Sequence, residues 1–434
     1  MRHGNGLLAG LFAFAILIAA IPANAAKLDC GEHTGQKASG KPIPIGAVTS
    51  MSGIGSFAEA DQAARAYFDC VNHNGGIHGR PIVYRDQDDQ SQLSLATQAA
   101  EKLVQGNGDY VLIGSSSFIE CIANAHYYVK EDILDIGLGI PPQCFQSKNI
   151  GEIDAGPRQS AIGVADYLRQ TGGIKSIACA TANIPGAHYL CGGVDAWGKL
   201  YGVKVINIYY DPTSPDYNSV VLQILETGAN AALAITPAAA GEQLLTAAEQ
   251  QDAAAKMKWS GVGSWYTAQF PKAIDNKYWN NRIWINTDSA PLDSKGKDNQ
   301  NYIAVMNAYA PKAIKDTISQ DAFVAAQIAV REMLTIKNPA EINRRTVTAA
   351  IENMTPYYND ILCGPWYWGG PGATEHQANH VTRNLTIQDG KWKSIGGCWT
   401  DPDPGLAKIV KLEQKMGINK KYDAIFDKPP FKAR

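Results

Sequence analysis

The chain has 434 residues, with 39 Lys+Arg against 41 Asp+Glu and a formal charge of −2. Charge this close to balance excludes a nucleic-acid binder and a polybasic membrane-surface protein. The length exceeds one ordinary core and suits two domains.

Arg2 and His3 give a basic start, Leu7 to Ile21 is almost wholly apolar, and Pro22-Ala23-Asn24-Ala25 ends in a small-residue cleavage pattern. Residues 1–25 therefore read as a secretory signal peptide, too short and wrongly flanked for a membrane anchor. A lipid anchor would need a cysteine directly after the small residues, whereas Cys30 follows Lys27-Leu28-Asp29. The expected product is exported and soluble. All eight cysteines (30, 70, 121, 144, 179, 191, 363 and 398) lie behind the leader, and an even number in an exported chain predicts disulfides. Spacing does not fix their connectivity; the expected pairs are Cys179 with Cys191, and Cys363 or Cys30 with Cys398. No Cys-x-x-Cys occurs, so a redox motif or zinc ribbon has no support.

Ile43-Pro-Ile-Gly-Ala-Val48 is continuously apolar, the signature of a parallel strand covered on both faces. Ser52, Gly53 and Gly55 let the chain turn, and Ala63, Ala64, Tyr67, Phe68 and Val71 then fall at helical spacing. Asn74-Gly75-Gly76 stops that helix, because glycine accepts positive φ, and Ile82 to Tyr84 starts a second strand. Ser91 to Gln105 reads as a helix, Tyr110 to Ile113 as a strand, and Gly114 to Ser117 as its exit turn. Glu120 to Lys130 is a helix and Ile133 to Leu138 a strand ended by Pro141-Pro142.

The alternation then restarts. Helices are expected at Gln159–Thr171, Tyr189–Tyr201, Tyr217–Glu226 and Gly241–Gln251. Strands are expected at Ser176–Ala180, Val203–Tyr209, Ala231–Ile235, Lys258–Val262 and Arg282–Asn286. Asp288 to Asn301 reads as a polar loop, and Gln320–Ile336 and Arg345–Asn353 as helices. Helices alternating with apolar strands predict doubly wound α/β units, two of them here.

Asn74-Gly-Gly-Ile-His-Gly-Arg-Pro81, a strand and then Asp88-Asp89 resemble the opening of type I periplasmic solute-binding proteins, the branched-chain amino-acid-binding family of ABC importers. The resemblance covers nearly all of the chain after the leader. It implies two doubly wound parallel-sheet lobes joined by three hinge crossovers, near Ile153, Asp288 and Arg383. Lobe 1 would comprise residues 42–153 and 289–382, and lobe 2 residues 154–288 and 383–434. The implied protein is periplasmic, monomeric and not an enzyme, without cofactor, metal or nucleic acid. It would capture a small organic solute between its lobes and deliver it to an inner-membrane ABC permease. A sensory module for a membrane receptor would have the same fold.

In open α/β sheets, ligands bind beyond the carboxyl ends of the strands. Three lobe-1 turns qualify: one holds Ser52 and Phe57, the next Ser115, Ser116, Ser117 and Phe118, and the last Gly139 and Pro141. Serines before a helix can hold a carboxylate or amide oxygen, or they can simply cap the helix. The resemblance favours binding, since the family holds its ligand's acid group at the matching turn. In lobe 2 the chain departs from the family. Gly263-Ser264-Trp265-Tyr266 stands where an acid commonly meets the ligand ammonium, Thr236-Pro237 where an aromatic ring often sits, and Pro185-Gly186-Ala187-His188 where Tyr-Gly is usual. His188, Pro237, Trp265 and Tyr266 complete the expected site. No ammonium partner stands at these turns, so an amino acid is a less natural ligand than a carboxylate or amide without a free amino group. Trp265 could equally fill the core.

Three other motifs carry little. Gly53-x-Gly55-x-x-Ala58 mimics a dinucleotide fingerprint but has no acid about 20 positions on. His376 and His380, with Glu375, would share a face only in a helix, and Pro371-Gly372 argues for a loop. Gly-x-Ser-x-Gly, His-Glu-x-x-His and a P-loop are absent, so a hydrolase built on Ser115 to Ser117 with His126 or His188 is remote. Asp88-Asp89 and Asp401/Asp403 fall in turns and read as solvated.

Overall fold

The structure, a computed structural model, describes Met1 and residues 28–418 apart from 54 and 378. The signal peptide expected over residues 1–25 falls, Met1 aside, outside the described residues. No described helix is long and apolar enough to cross a membrane.

Two sheets carry the fold. The first contains β1 (Ile43–Thr49), β2 (Ile82–Asp88), β3 (Leu112–Ser117), β4 (Asp135–Gly139) and β5 (Ile150–Glu152), all parallel in the order β2-β1-β3-β4-β5. Ile43, Ile45, Ala47 and Val48 are fully buried because helices cover both faces of β1. The helices Ala58–His73 and Thr317–Leu334 cover one face, with Tyr67 and Tyr302 ringing Phe323 at 4.9 and 5.3 Å. Gly75 and Gly76 end the first of these helices at φ 107° and 66°, and a Cβ on Gly76 would lie 2.2 Å from the Arg80 carbonyl oxygen. Arg80 itself is buried. Its guanidinium donates to the carbonyls of Lys41, Pro42, Pro339 and Ile342, pinning the start of β1 to a distant segment.

The second sheet contains β6 (Ser176–Ala182), β7 (Lys204–Tyr210), β8 (Ala231–Ile235), β9 (Lys258–Gly261) and β10 (Ile283–Thr287), again parallel. An antiparallel hairpin, β11 (Val381–Gln388) and β12 (Lys391–Thr400), extends its β10 edge, giving the order β12-β11-β10-β9-β8-β6-β7. Both lobes are therefore the α/β units that the alternation of helices and strands predicts.

Several details differ from the sequence reading. Gly114 to Ser117 is not an exit turn: Gly114 takes φ 80°, the pairing shifts register between Ile113 and Ser116, and β3 resumes through Ser117. The stretch expected as a loop to Asn301 turns helical at Lys297 and runs to Tyr309. Neither β5 nor the β11–β12 hairpin has a counterpart among the expected elements. The disulfides are Cys30–Cys70, Cys121–Cys144, Cys179–Cys191 and Cys363–Cys398. Cys30 thus pairs within lobe 1, and Cys363 is the partner of Cys398.

The chain passes from the first sheet to the second after β5, returns after β10 and crosses again before β11. These segments are tied together. The Ala155 N–H donates to Asp288 Oδ2 at 2.6 Å, the Cys363 N–H donates to the Asp288 carbonyl at 2.8 Å, and the Gln377 side chain donates to the Ala155 carbonyl.

Candidate functional site

The carboxyl ends of both sheets open on one cleft of about 740 Å³. Its lobe-1 wall comes from the segments after β1, β3 and β4, and its lobe-2 wall from those after β6, β8 and β9. The walls meet at several places, the bridge between Thr267 and Asp316 among them. A Cβ on Gly55 would lie 2.9 Å from the Phe118 ring and 3.9 Å from Pro237, and one on Gly186 would lie 3.4 Å from Pro141. The crossing segments close the rear with Asp154, Ala155, Thr287 and Asp288.

Of the twelve residues expected at the site, Phe57, Ser116, Ser117, Phe118, Gly139 and Pro237 line the cleft. Phe57 and Phe118 pack ring to ring at 4.9 Å. The Ser117 hydroxyl is engaged inward: it donates to Asp89, accepts from Ser50 at 3.2 Å, and accepts the Ile119 and Glu120 N–H groups at 3.1 Å. It caps the following helix, so the capping alternative describes this serine well. Ser115 faces away and accepts from the Val48 N–H at 3.2 Å.

The other five stand outside the lining. Ser52 is exposed and donates to Asp88 at 2.6 Å. Pro141 abuts Gly186, and the exposed His188 rests its ring on Tyr209 at 4.4 Å. Trp265 is core filling: it is 0% exposed, stacks on Phe270 at 4.9 Å, and donates from its indole to the Thr236 carbonyl at 3.1 Å. Gly241 and Gly261 make room for that ring, since a Cβ on either would lie 2.4 Å from it. Tyr266 is buried and accepts the Leu292 N–H on its hydroxyl.

Three carboxylates expected in solvated turns are buried. Asp89 accepts from Ser50 at 2.7 Å and from Ser117, Asp401 accepts from Thr382 at 3.3 Å, and Asp403 binds Arg158 through both oxygens. His376 and His380 lie in a loop, as expected. His376 contacts the Ala373 carbonyl at 2.9 Å, and His380 pairs with Glu413, so each ring has a local partner other than a metal. Cys121, Cys144 and Glu152 lie close enough to share an ion, but the two sulfurs are joined in a disulfide and offer no thiolate.

Sequence reasoning missed the acids of the cleft. Glu59, Asp154, Glu242, Asp288, Asp316 and Asp321 all line it. The three lobe-2 turns read from sequence carry no acid, as noted; these six come from helix starts and from the crossings. Asp154 and Asp288 sit at the crossovers the resemblance places, which was the available signal. Burial raises Glu59 to about 8, with Asp316 adding to the effect, and burial raises Asp288 and Asp316 to about 6. Burial and then the charge of Asp288 push Asp154 and Asp321 well above the carboxylate range.

These shifts, with Asp61 raised to about 8 and Asp135 to about 7 by burial, set the pH dependence of stability. A carboxyl whose folded value is raised contributes stability that is complete below its unfolded value and is lost as pH rises through the folded value. The ligand-free protein should therefore melt highest near about pH 5 and lose about 1.4 kcal/mol per pH unit for each proton by which the two states differ, up to about pH 8. Circular-dichroism melts across that range test this, and a melting temperature that climbs toward pH 8 would contradict it.

The sequence model of the family described as "Periplasmic binding protein" matches residues 42–391. No curated protein matches the sequence. Among solved structures, a fatty acid ABC transporter substrate-binding protein from Thermomonospora curvata is 16% identical, with 88% of this chain and 97% of that one covered at a TM-score of 0.74. A solute-binding protein of an ABC transporter from Rhodopseudomonas palustris, in complex with 3,4-dihydroxybenzoic acid, is 14% identical over 84% and 99% of the two chains, with a TM-score of 0.72. The branched-chain amino acid transporter substrate-binding protein LivJ from Streptococcus pneumoniae, in complex with isoleucine, is 13% identical over 83% and 100%, with a TM-score of 0.68. At these identities the likeness concerns the fold.

Proposed function

The chain belongs to the periplasmic binding protein family, and from that premise we propose that it is the exported solute-binding component of an ABC importer. The observation that carries this reading is one cleft walled by the strand ends of both lobes and hinged on three tied crossings. A solute lodged there touches both walls only when they are together. Its contacts in that state favour closure, and no other coupling is required. Moving a clamp from nearly all open to nearly all shut takes about 5.5 kcal/mol of differential affinity. Burying an apolar body of 100–200 Å² contributes about 2.5–5 kcal/mol of that, and hydrogen bonds contribute the rest.

The ligands named for the solved neighbours have apolar bodies, and Phe57, Phe118, Ile235, Pro237 and Ile318 offer this chain's ligand a matching surface. Ser116, Ser117 and Gly139 supply the polar edge of the same wall. The protein works as a periplasmic monomer, and an inner-membrane permease reads its closed shape. Binding without turnover suits a serine row whose Ser117 hydroxyl is already committed to Asp89, with the candidate base His188 resting on Tyr209.

Ala239 is exposed on the lobe-2 wall, so Ala239→Trp should fill the cleft with little effect on folding. A thermal-shift screen of amino acids, amines, aliphatic and aromatic acids and amides supplies the best compound. At 100 times its dissociation constant that compound adds about 2.7 kcal/mol to the parent. The shift should vanish in Ala239→Trp; if it persists in full, the ligand does not occupy this cleft.

A further inference from the structure

We propose that the cleft selects a small organic cation, an amine or amidine with an apolar body and no carboxylate, held at the hinge by Asp154, Asp288 and Asp321. This rests on the solute-capture reading and specifies its ligand. Among the described residues lining the cleft, six are acids and none is Lys, Arg or His. A ligand carboxylate there would find no counter-charge on the wall, and every wall acid that ionised beside it would add a like charge.

Two of the acids are also only partly satisfied, Asp154 by backbone N–H groups including that of Gly156. Asp154 Oδ1 is buried with no hydrogen-bond partner, and Glu59, 9% exposed, accepts none from another residue's side chain. Two buried acids outside the cleft do hold a cation: Asp403 holds Arg158, and Asp109 holds Arg85 at 2.9 Å. Arg383 does act on Asp288, but it stands outside the lining and also acts on Asp360 and the Tyr266 hydroxyl. Ser289 donates to Asp321 at 2.8 Å, which aligns that carboxylate without neutralising it. Beyond the cluster, Asp61 stands beside Glu59 and Glu152 beside Asp154, two further acids that burial raises. The site is therefore an acid-lined hollow with apolar walls and no cation on its lining.

A bound cation opposes the shift that burial imposes on these carboxyls, because it gives the charged forms a partner. Binding therefore releases protons, and affinity for the amine rises with pH, by up to tenfold per unit for each proton released. An acid ligand would show the opposite slope, since it would depend on the protonated carboxyls as donors. The amine proposed here is consistent with the lobe-2 turns, which lack the acid that commonly meets an α-amino group; its partners lie at the hinge instead.

Two matched trios test this on the mature protein by titration calorimetry at about pH 6 and about pH 8. They are 3-methylbutylamine, 4-methylpentanoate and leucine, and phenethylamine, 3-phenylpropanoate and phenylalanine. Within each trio the amine should bind at least tenfold more tightly than the acid or the amino acid, and more tightly at the higher pH. Asp154→Asn combined with Asp321→Asn should weaken the amine at least tenfold and flatten the pH slope. Glu59→Gln provides a second variant, should the double variant melt low. If the acid or amino acid wins, and Ala239→Trp abolishes its binding, the cation inference falls while solute capture stands. If neither trio nor any compound of the wider screen binds in the cleft, both readings fall.

Discussion

Asp403→Ala should destabilise the protein by about 3–5 kcal/mol, the range for leaving one member of a buried ion pair alone. Asp403 is 2% exposed at its side chain and takes Arg158 through Nε at 2.9 Å and a terminal nitrogen at 3.0 Å. Arg158 also donates to the Tyr189 carbonyl at 3.1 Å and lies 4.8 Å from the Tyr189 ring, so it cannot swing out to water without losing those contacts. The pair joins the helix Gly156–Gly172 to the segment leading into the helix Ala407–Met416. Replacing both partners with apolar residues, Arg158→Met with Asp403→Leu, should recover most of the loss, because no charge is then stranded. Chemical denaturation of the two variants beside the parent measures this. A single variant within about 1 kcal/mol of the parent would show that Arg158 finds another partner.

Trp265→Ala should cost about 3–5 kcal/mol through the cavity it leaves. The ring fills space created by Gly241 and Gly261 and stacks on Phe270, and both walls are backbone or packed side chain that cannot collapse fully. The Thr236 carbonyl would also lose its indole donor. Because the ring stands behind the cleft wall rather than on it, ligand affinity measured well below the melting temperature should change far less than stability. A loss of affinity as large as the loss of stability would return Trp265 to the binding surface.

Those outcomes separate what local pattern can reveal from what it cannot. The repeated strand–helix order, the helix stop at Asn74-Gly75-Gly76 and the two α/β units were legible because period and turn chemistry are properties of neighbouring residues. The β11–β12 hairpin had a local signal too: Asp389 and Gly390 take φ 50° and 69°, the left-handed pair of a tight hairpin turn. The bulge in β3 had less to announce it, since a strand resuming after Gly114 looks like a turn in sequence.

Sequence alone determined the α/β class, the family motif, and the lobe-1 wall at Phe57, Ser116, Phe118 and Gly139, because strand ends face ligands in any open sheet of this kind. Only the tertiary structure decided which side chains converge. It sent Trp265 and Tyr266 into the core, buried Asp89, Asp401 and Asp403, paired Cys30 with Cys70, and gathered Glu59, Asp154, Asp288, Asp316 and Asp321 into one hollow. The reason is that those acids lie up to hundreds of positions apart on four segments. Their mutual repulsion and their burial exist only once the crossings bring the segments together.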